Sequence, residues 1–510
     1  MGVYNTVYSS EVQFIPPGGT EKTKKYFLFG VFFDGTGNDM TNNHYNTDDV
    51  KNAHKNSRTK NDEKTLSPQV NNRNKFVALR ENNYKLDEYY NNKDNDDPND
   101  YSNIALLHHC FQGMSDEEIT QKTSEQYDVH IYNIYTEGPG TTGGMDNFVG
   151  AVYGRGSGGV LALLSQTARI IKNILASFGD ITNAEFHFDI FGFSRGATLA
   201  RMFSTTILAN DCPDILLNKE TKELRKLINR SSASVDFLGL FDTVSSIGVG
   251  TNDVHKYGLY LHEKVKGAMQ LCASDEFRKH FALTDLGESV NKKNISEFFI
   301  PGCHTDVGGT YKTKIRTLNI EYETFLPRID LQSIDVSRES LWMFIEEPNK
   351  GGGKNKINID TLEMLGWYLN GKDKISKNDN QFNISRLVLQ GYNLVPLTIL
   401  RDRAKNITKY EVFRTFPSGY SRFDIDKNLK ALTDDMIDNI KNHFSGRHFI
   451  YPQGAYNSNK YRKLRNFYLN YSADAFNPVN APSFTADKTM CRMIVNGDDN
   501  SVDYSFMCDY

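Results

Sequence analysis

This 510-residue sequence predicts an α/β fold, a mainly parallel sheet with helices on both faces. Three observations predict it. Short apolar and aromatic runs recur along the chain, at residues 26–33 (YFLFGVFF), 129–135 (VHIYNIY), 185–193 (EFHFDIFGF) and 235–241 (VDFLGLF). Segments with apolar residues at helical spacing separate them. Hydrophobic residues are 39% of the chain, enough to fill a core on both sides of such a sheet.

The run at 26–33 has no polar alternation, so it reads as a strand covered on both faces. It ends in Asp34-Gly35-Thr36-Gly37-Asn38, a turn sequence. Residues 39 to about 103 are dominated by Asn, Asp and Lys with little apolar periodicity, and read as a polar insertion. After the strand at 129–135 comes a Gly/Pro/Thr loop at 137–144. Residues 160–178 place Val160, Leu163, Leu164, Ala168, Ile171, Ile174 and Leu175 on one helical stripe. The run at 185–193 is a strand and residues 197–208 (ATLARMFSTTIL) a helix. The run at 235–241 is a strand, 275–282 a helical stretch and 298–301 (FFIP) a short strand. Beyond about residue 312 strong strand signals fade, with Gly351-Gly352-Gly353 and many Tyr, Asn and Lys. We therefore divide the chain into a unit at 20–311, carrying the insertion at about 39–103, and a C-terminal cap or surface-binding region at 312–510 that could pack on the first as one unit.

A net charge of −4 gives no electrostatic case for nucleic acid as a partner. The six cysteines, Cys110, Cys212, Cys272, Cys303, Cys491 and Cys508, are scattered, with no C-x-x-C pair; they read as reduced thiols, not a zinc ribbon. The N-terminal MGVYNTVYSSEVQF lacks the basic and apolar regions of a secretory signal, and no 18-residue apolar run suggests a membrane span.

Gly192-Phe193-Ser194-Arg195-Gly196 lies between a predicted strand and a predicted helix. G-x-S-x-G in that setting is a nucleophile elbow, whose sharp turn holds the serine oxygen clear of the sheet. Gly192 and Gly196 would supply space where a Cβ would meet the neighbouring strand and helix. The Arg195 N–H at the helix N-terminus can face a developing oxyanion. A serine needs a base, and the base an orienting acid. In the α/β-hydrolase order the acid and then the histidine follow the serine. Asp242 ends the strand at 235–241, and His304 follows the strand at 298–301 in a Gly-rich loop, so Ser194, Asp242 and His304 are the candidate catalytic residues.

Rival assignments are weaker on position. His262 and His280 lie in helical-looking segments, and His187 lies inside the elbow's own strand. Asp306, two residues from His304, fits a loop-shaping role better than that of the acid. The second oxyanion donor in this fold comes from a loop after an early strand, so the backbone N–H groups of Gly35 and Thr36 are candidates, with Asp34 tying the loop down. The same DGTG could hold phosphate, but no Walker lysine accompanies it, and Phe32 stands where a phosphatase nucleophile would. Residues 154–159 (GRGSGG) satisfy G-x-G-x-x-G, but the preceding DNFVGAVY is a poor strand and Asp189 lies within the next strand, so a turn before a helix is preferred to a dinucleotide site.

FGFSRGATLAR (191–201), GLFDTVSSIG (239–248) and FFIPGCHTDVGGTY (298–311), preceded by FFDGTGN (32–38), together resemble the type VI secretion phospholipase effectors, more narrowly the family-1 lipase effectors with G-x-S-x-G. The Gly-rich segments YTEGPGTTGG and GAVYGRGSGG are similar to that family's loop before the elbow. The resemblance covers residues 25–311 and implies the same triad, Ser194, Asp242 and His304. It implies hydrolysis of glycerophospholipid acyl esters in a rival bacterium's membrane, with neither metal nor organic cofactor. It further implies synthesis in the cytoplasm, loading on a secretion spike protein or adaptor, action in the target periplasm and a cognate immunity protein. Two other readings stand beside it: a serine esterase on a small soluble ester, and a non-enzymatic spike- or immunity-binding module on a hydrolase fold.

Overall fold

The computed structural model describes residues 3–6, 24–38, 99–111, 128–140, 159–228, 232–247, 254–311, 328–335, 363, 366–367, 374–378, 381–388, 391–408, 412–413, 425, 427–450, 458–472, 483, 492–499 and 501–503. Most of the insertion at 39–103, the glycines at 154–158 and 351–353, Cys491 and Cys508 lie outside them.

One eight-stranded sheet organises the molecule. Its strands are β1 (Val3–Thr6), β2 (Lys25–Phe33), β3 (Asp128–Thr136), β4 (Glu185–Phe193), β5 (Ala233–Phe241), β6 (Ala268–Ala273), β7 (Ile295–Ile300) and β8 (Gly446–Phe449), in spatial order β1-β3-β2-β4-β5-β6-β7-β8. The edge strand β1 runs antiparallel to β3; β2 to β8 pair in parallel. A mostly parallel sheet flanked by helices is an α/β-hydrolase-like fold, as the alternating strand and helix signals predicted.

Alternate residues of the central strands serve two cores. Phe27, Phe29, Val31 and Phe33 of β2 pack with Phe186, Phe188 and Ile190 of β4 beneath helices α2 (Val160–Ala176) and α3 (Arg195–Leu208). Leu28 and Phe32 of β2, Phe191 and Phe193 of β4 and Phe237 and Phe241 of β5 face the opposite core. C-terminal residues supply part of that second core, among them Trp367, Tyr392, Leu400, Leu429, Ile440, Tyr461 and Leu464. They belong mainly to α4 (Leu394–Thr408), α5 (Lys427–Asn442) and α6 (Asn459–Phe467). The region after residue 312 thus supplies both a sheet strand, β8, and one face's covering layer.

One local expectation differs from the structure, and two elements were not expected. Residues 268–273 (AMQLCA) form the buried strand β6, which the sequence did not signal. Its mid-strand Gln270 breaks the apolar run but is satisfied inside, donating to the Thr284 carbonyl at 3.1 Å and to Glu297 Oε2 at 2.8 Å. The helix expected at 275–282 is only a 3₁₀ turn, Lys279–Phe281. Asp275 is instead tied across to the Gly302 backbone, with its N–H donating to Gly302 O at 2.9 Å and its Oδ2 accepting from Gly302 N at 2.7 Å. Just beyond the expected insertion lies the buried helix α1 (Asn103–Cys110), whose N-cap Ser102 accepts from Ala105 N at 3.1 Å. Among the described residues no helix is long and apolar enough to cross a membrane.

Candidate active site

The carboxyl ends of β2, β4, β5 and β7 converge, and each delivers one element of the site. β4 delivers Ser194 at the turn into α3. Its backbone, φ 58° and ψ −126°, is rarely occupied by residues with a side chain and costs on the order of 1–3 kcal/mol. The turn is held by neighbouring backbone: Ser194 N–H donates to Phe241 O at 3.0 Å, and Ser194 O accepts from Val244 N at 3.2 Å. Its two glycines answer to space. A Cβ on Gly192 would lie 2.5 Å from Ala197 Cα, and one on Gly196 would lie 2.2 Å from the Asp34 carbonyl oxygen. The elbow and the end of β2 therefore touch backbone to backbone.

β5 ends in Asp242, the next residue after Phe241, again with positive φ (48°). β7 leads through Gly302 to a short helix, His304–Gly308, with His304 at its first position. His304 Nδ1 lies 2.5 Å from Asp242 Oδ2, and both side chains are buried. The imidazole is sandwiched by Phe193, the residue before the serine, at 4.6 Å between ring centroids, and by Phe281 at 4.9 Å. No hydrogen bond joins the Ser194 hydroxyl to His304 in this structure. In free enzymes such contacts are often long and tighten only around substrate.

Burial pushes the His304 imidazole below its ordinary value, against the raising effect of Asp242. Burial alone would push Asp242 up, but the Arg492 charge and the His304 hydrogen bond hold it well below the usual carboxylate range. The arrangement at neutral pH is a neutral imidazole on an ionised carboxylate, which is the state in which Nε2 can accept a proton.

Arg492 is one of two residues that sequence reasoning missed. Its Nη1 donates to Asp242 Oδ1 at 2.7 Å and its Nη2 to Asp242 Oδ2 at 2.8 Å. It lies 250 positions from Asp242 in a segment with no motif, so no local signal marks it. Glu276 was also unseen: its Oε2 accepts from His304 N–H at 3.2 Å and from Ser472 Oγ at 3.0 Å. Asp306 caps the His304 helix, accepting from Cys303 N at 3.0 Å, and binds Asn470 through N–H and side chain at 2.9 and 2.6 Å. The three rival histidines have other settings. His187 pairs with Asp236 at 2.9 Å, about 23 Å along β4 from Ser194 at ~3.3 Å per residue. His262 lies in a turn, and His280 is exposed on the 3₁₀ turn, so neither is in the helix expected for it.

The loop after β2 is clasped to residues 138–139: Gly138 N donates to Asn38 O at 2.8 Å and Gly37 N to Pro139 O at 3.0 Å. Asp34 ties it down, with Oδ2 accepting from Tyr135 Oη at 2.5 Å and Oδ1 from Gly35 N at 2.7 Å. The Gly35 N–H is thus engaged by Asp34. Thr36 meets the elbow directly, its Oγ1 accepting from Arg195 Nη1 at 3.2 Å. Among the described residues no group of three or more His, Cys, Asp or Glu side chains is placed to hold a metal ion. Cys110, Cys212, Cys272 and Cys303 are buried.

The family described as "T6SS, Phospholipase effector Tle1-like, catalytic domain" matches residues 29–332. No curated protein matches the chain. Among solved structures, the chain is similar to the Tle1 effector bound to the VgrG spike from the Type 6 secretion system, at 18% identity and TM-score 0.48, over 95% of this chain and 92% of that one. It is also similar to an uncharacterized protein from Pseudomonas aeruginosa, at 14% identity and TM-score 0.40, over 82% of this chain and 51% of that one.

Proposed function

The chain belongs to the Tle1-like phospholipase effectors of the type VI secretion system, and on that premise we propose that it hydrolyses glycerophospholipid acyl esters through Ser194, His304 and Asp242. The observation that carries this reading is the 2.5 Å contact of His304 Nδ1 with Asp242 Oδ2, beside a serine held at positive φ on a strand-to-helix turn. In the acylation step the Ser194 oxygen bonds to the acyl carbon while His304 Nε2 takes its proton. The resulting oxyanion is held by the Arg195 N–H together with an N–H of the loop after β2. The Thr36 N–H is the candidate for that second position, because the Gly35 N–H would first have to release Asp34. When the ester bond breaks, His304 returns the proton to the departing glyceryl oxygen. Water then attacks the acyl-serine, giving its proton to His304, and the fatty acid leaves with Ser194 restored.

The lipid substrate and the biological role rest on family membership. As a type VI effector the protein is carried by a spike protein or adaptor, acts from the target cell's periplasm on its phospholipid membrane, and is countered in kin cells by an immunity protein. Ser194→Ala tests the chemistry. Incubated with vesicles of a mixed-chain phospholipid, the wild-type protein should release fatty acid. The variant should fall by at least about 10⁴-fold at unchanged fold. Continued release by Ser194→Ala would remove Ser194 from the mechanism. Wild-type cleavage of short soluble esters with intact vesicles would remove the lipid assignment.

A further inference from the structure

We propose that Arg492 is a positioning residue for hydrolysis: held on a C-terminal strap, its guanidinium keeps Asp242 ionised and thereby fixes the His304 tautomer that leaves Nε2 open to the serine proton. The inference rests on the Ser194, His304 and Asp242 reading above.

The geometry is that of a buried three-member relay. Asp242 Oδ2 is shared between His304 Nδ1 at 2.5 Å and Arg492 Nη2 at 2.8 Å. Asp242 Oδ1 accepts from Arg492 Nη1 at 2.7 Å and from Ala273 N at 2.8 Å. Asp242 is 0% exposed and Arg492 1%, so water does not screen the pair. Without the guanidinium, the carboxylate would sit in the interior with a neutral imidazole and one backbone N–H, and its cheapest escape is to take a proton. A protonated Asp242 would donate to His304 Nδ1. The imidazole hydrogen would then reside on Nε2, pointing at a serine that it could no longer deprotonate.

Arg492 is itself fixed on both sides. Its Nη1 also donates to Ala273 O at 2.6 Å, at the end of β6, and its Nη2 to Phe281 O at 3.2 Å, the residue whose ring flanks His304. Two residues further on, Ile494–Val495 pairs in parallel with Leu283–Thr284 and antiparallel with Val502–Asp503. Beyond it, Gly497 N donates to Asp285 Oδ1 at 2.7 Å and Asp498 Oδ2 accepts from Glu288 N at 2.6 Å. The strap therefore docks on the segment that follows Phe281. Other titratable groups face the pair: Glu276 on the His304 N–H, Arg278 bonded to Glu276 at 2.8 and 2.9 Å, the thiols of Cys272 and Cys303, and Asp306 on the His304 helix. Among these described groups Arg492 is the cation that touches Asp242.

The test compares Arg492→Met, Arg492→Lys, Asp242→Asn and the double variant Asp242→Asn with Arg492→Met, all full length, on phospholipid vesicles from about pH 5 to about 9. Arg492→Met should lower kcat by about 100-fold or more with KM within about threefold. It should also move the acid limb of kcat/KM up by about one pH unit or more, because loss of a neighbouring cation favours the protonated Asp242–His304 pair. Arg492→Lys should leave the limb in place and recover at least about tenfold of the lost rate. In the double variant the carboxylate is gone, so removing Arg492 should cost no more than about threefold beyond Asp242→Asn. An unmoved acid limb in Arg492→Met, or losses that multiply in the double variant, would overturn the proposal, since a purely structural strap lowers activity equally at every pH. If Arg492→Met does not fold, the double variant decides by its comparison with Asp242→Asn, because it removes both members of the buried pair. An active Ser194→Ala sinks the underlying mechanism; an inactive Ser194→Ala with an unmoved limb sinks only the role of Arg492.

Discussion

At the scale of single residues, burial sets the chemistry of this site more than net charge does. Three carboxyl groups around His304 are all but sealed from water, and each is pushed according to its partner. Asp242 and Glu276, paired with Arg492 and Arg278, stay below the usual carboxylate range despite burial, Glu276 at about 2. Among the described residues Asp306 has hydrogen bonds but no cation in contact, and burial raises its carboxyl from the ordinary 3.8 to about 7. The folded protein therefore keeps a proton on Asp306 that the unfolded chain releases near 3.8. This contribution, up to roughly 4 kcal/mol, is complete below about pH 4 and is lost as pH rises to about 7. Asp306→Asn removes the dependence. Asn470 can turn its amide to suit, since its Oδ1 has no hydrogen-bond partner among the described residues. Urea unfolding at several pH values should show the variant gaining stability relative to wild type between about pH 4 and about 7; a constant difference would refute the protonated Asp306.

At the scale of elements, the elbow is a contact between three backbones and not an isolated turn. The start of α3 lies against the end of β2, and Ser194 is bonded to both Phe241 and Val244 on the far side. Small residues are required because backbone atoms, not flexible side chains, fill the space around them. Gly196→Ala would force its Cβ to 2.2 Å from the Asp34 carbonyl oxygen, which also belongs to the loop proposed to supply an oxyanion donor. The expected result is a loss of at least about 2 kcal/mol in urea unfolding together with at least about tenfold lower lipid hydrolysis. A stable, fully active variant would show that β2 and α3 can separate freely.

At the scale of the whole molecule, described residues of the C-terminal region pack against the sheet that carries the serine. They contribute β8, one covering layer, and Arg492 beside Asp242. Leu400 of α4 packs so near Gly239 of β5 that its Cδ2 would lie 2.8 Å from a Cβ there. Leu400→Ala should cost about 2–5 kcal/mol. Because that core is shared, we expect near- and far-ultraviolet circular dichroism to trace one coincident unfolding curve for wild type and variant alike. Two separated transitions would instead mean that residues 20–311 and 312–510 fold as independent units.

The amino-acid sequence by itself determined the central strands, the elbow and the positions of Asp242 and His304. Each is written in consecutive residues: an apolar run, a glycine-flanked serine, an acid or a histidine just after a strand. The contact between Asp242 and His304 spans 62 positions, yet strand order alone brings the ends of β5 and β7 to one edge of the sheet. Only the tertiary structure decided what surrounds that pair. β6 was hidden because its Gln270 looks polar until Thr284 and Glu297 are seen to satisfy it. The Gly35 N–H looked available until Asp34 was seen to hold it. Arg492 could not be found from sequence, because a lone arginine carries no pattern and its meaning comes from a buried carboxylate 250 residues earlier. Strand and turn signals act over a few residues, whereas the pairing of buried charges is settled by whichever groups packing leaves face to face.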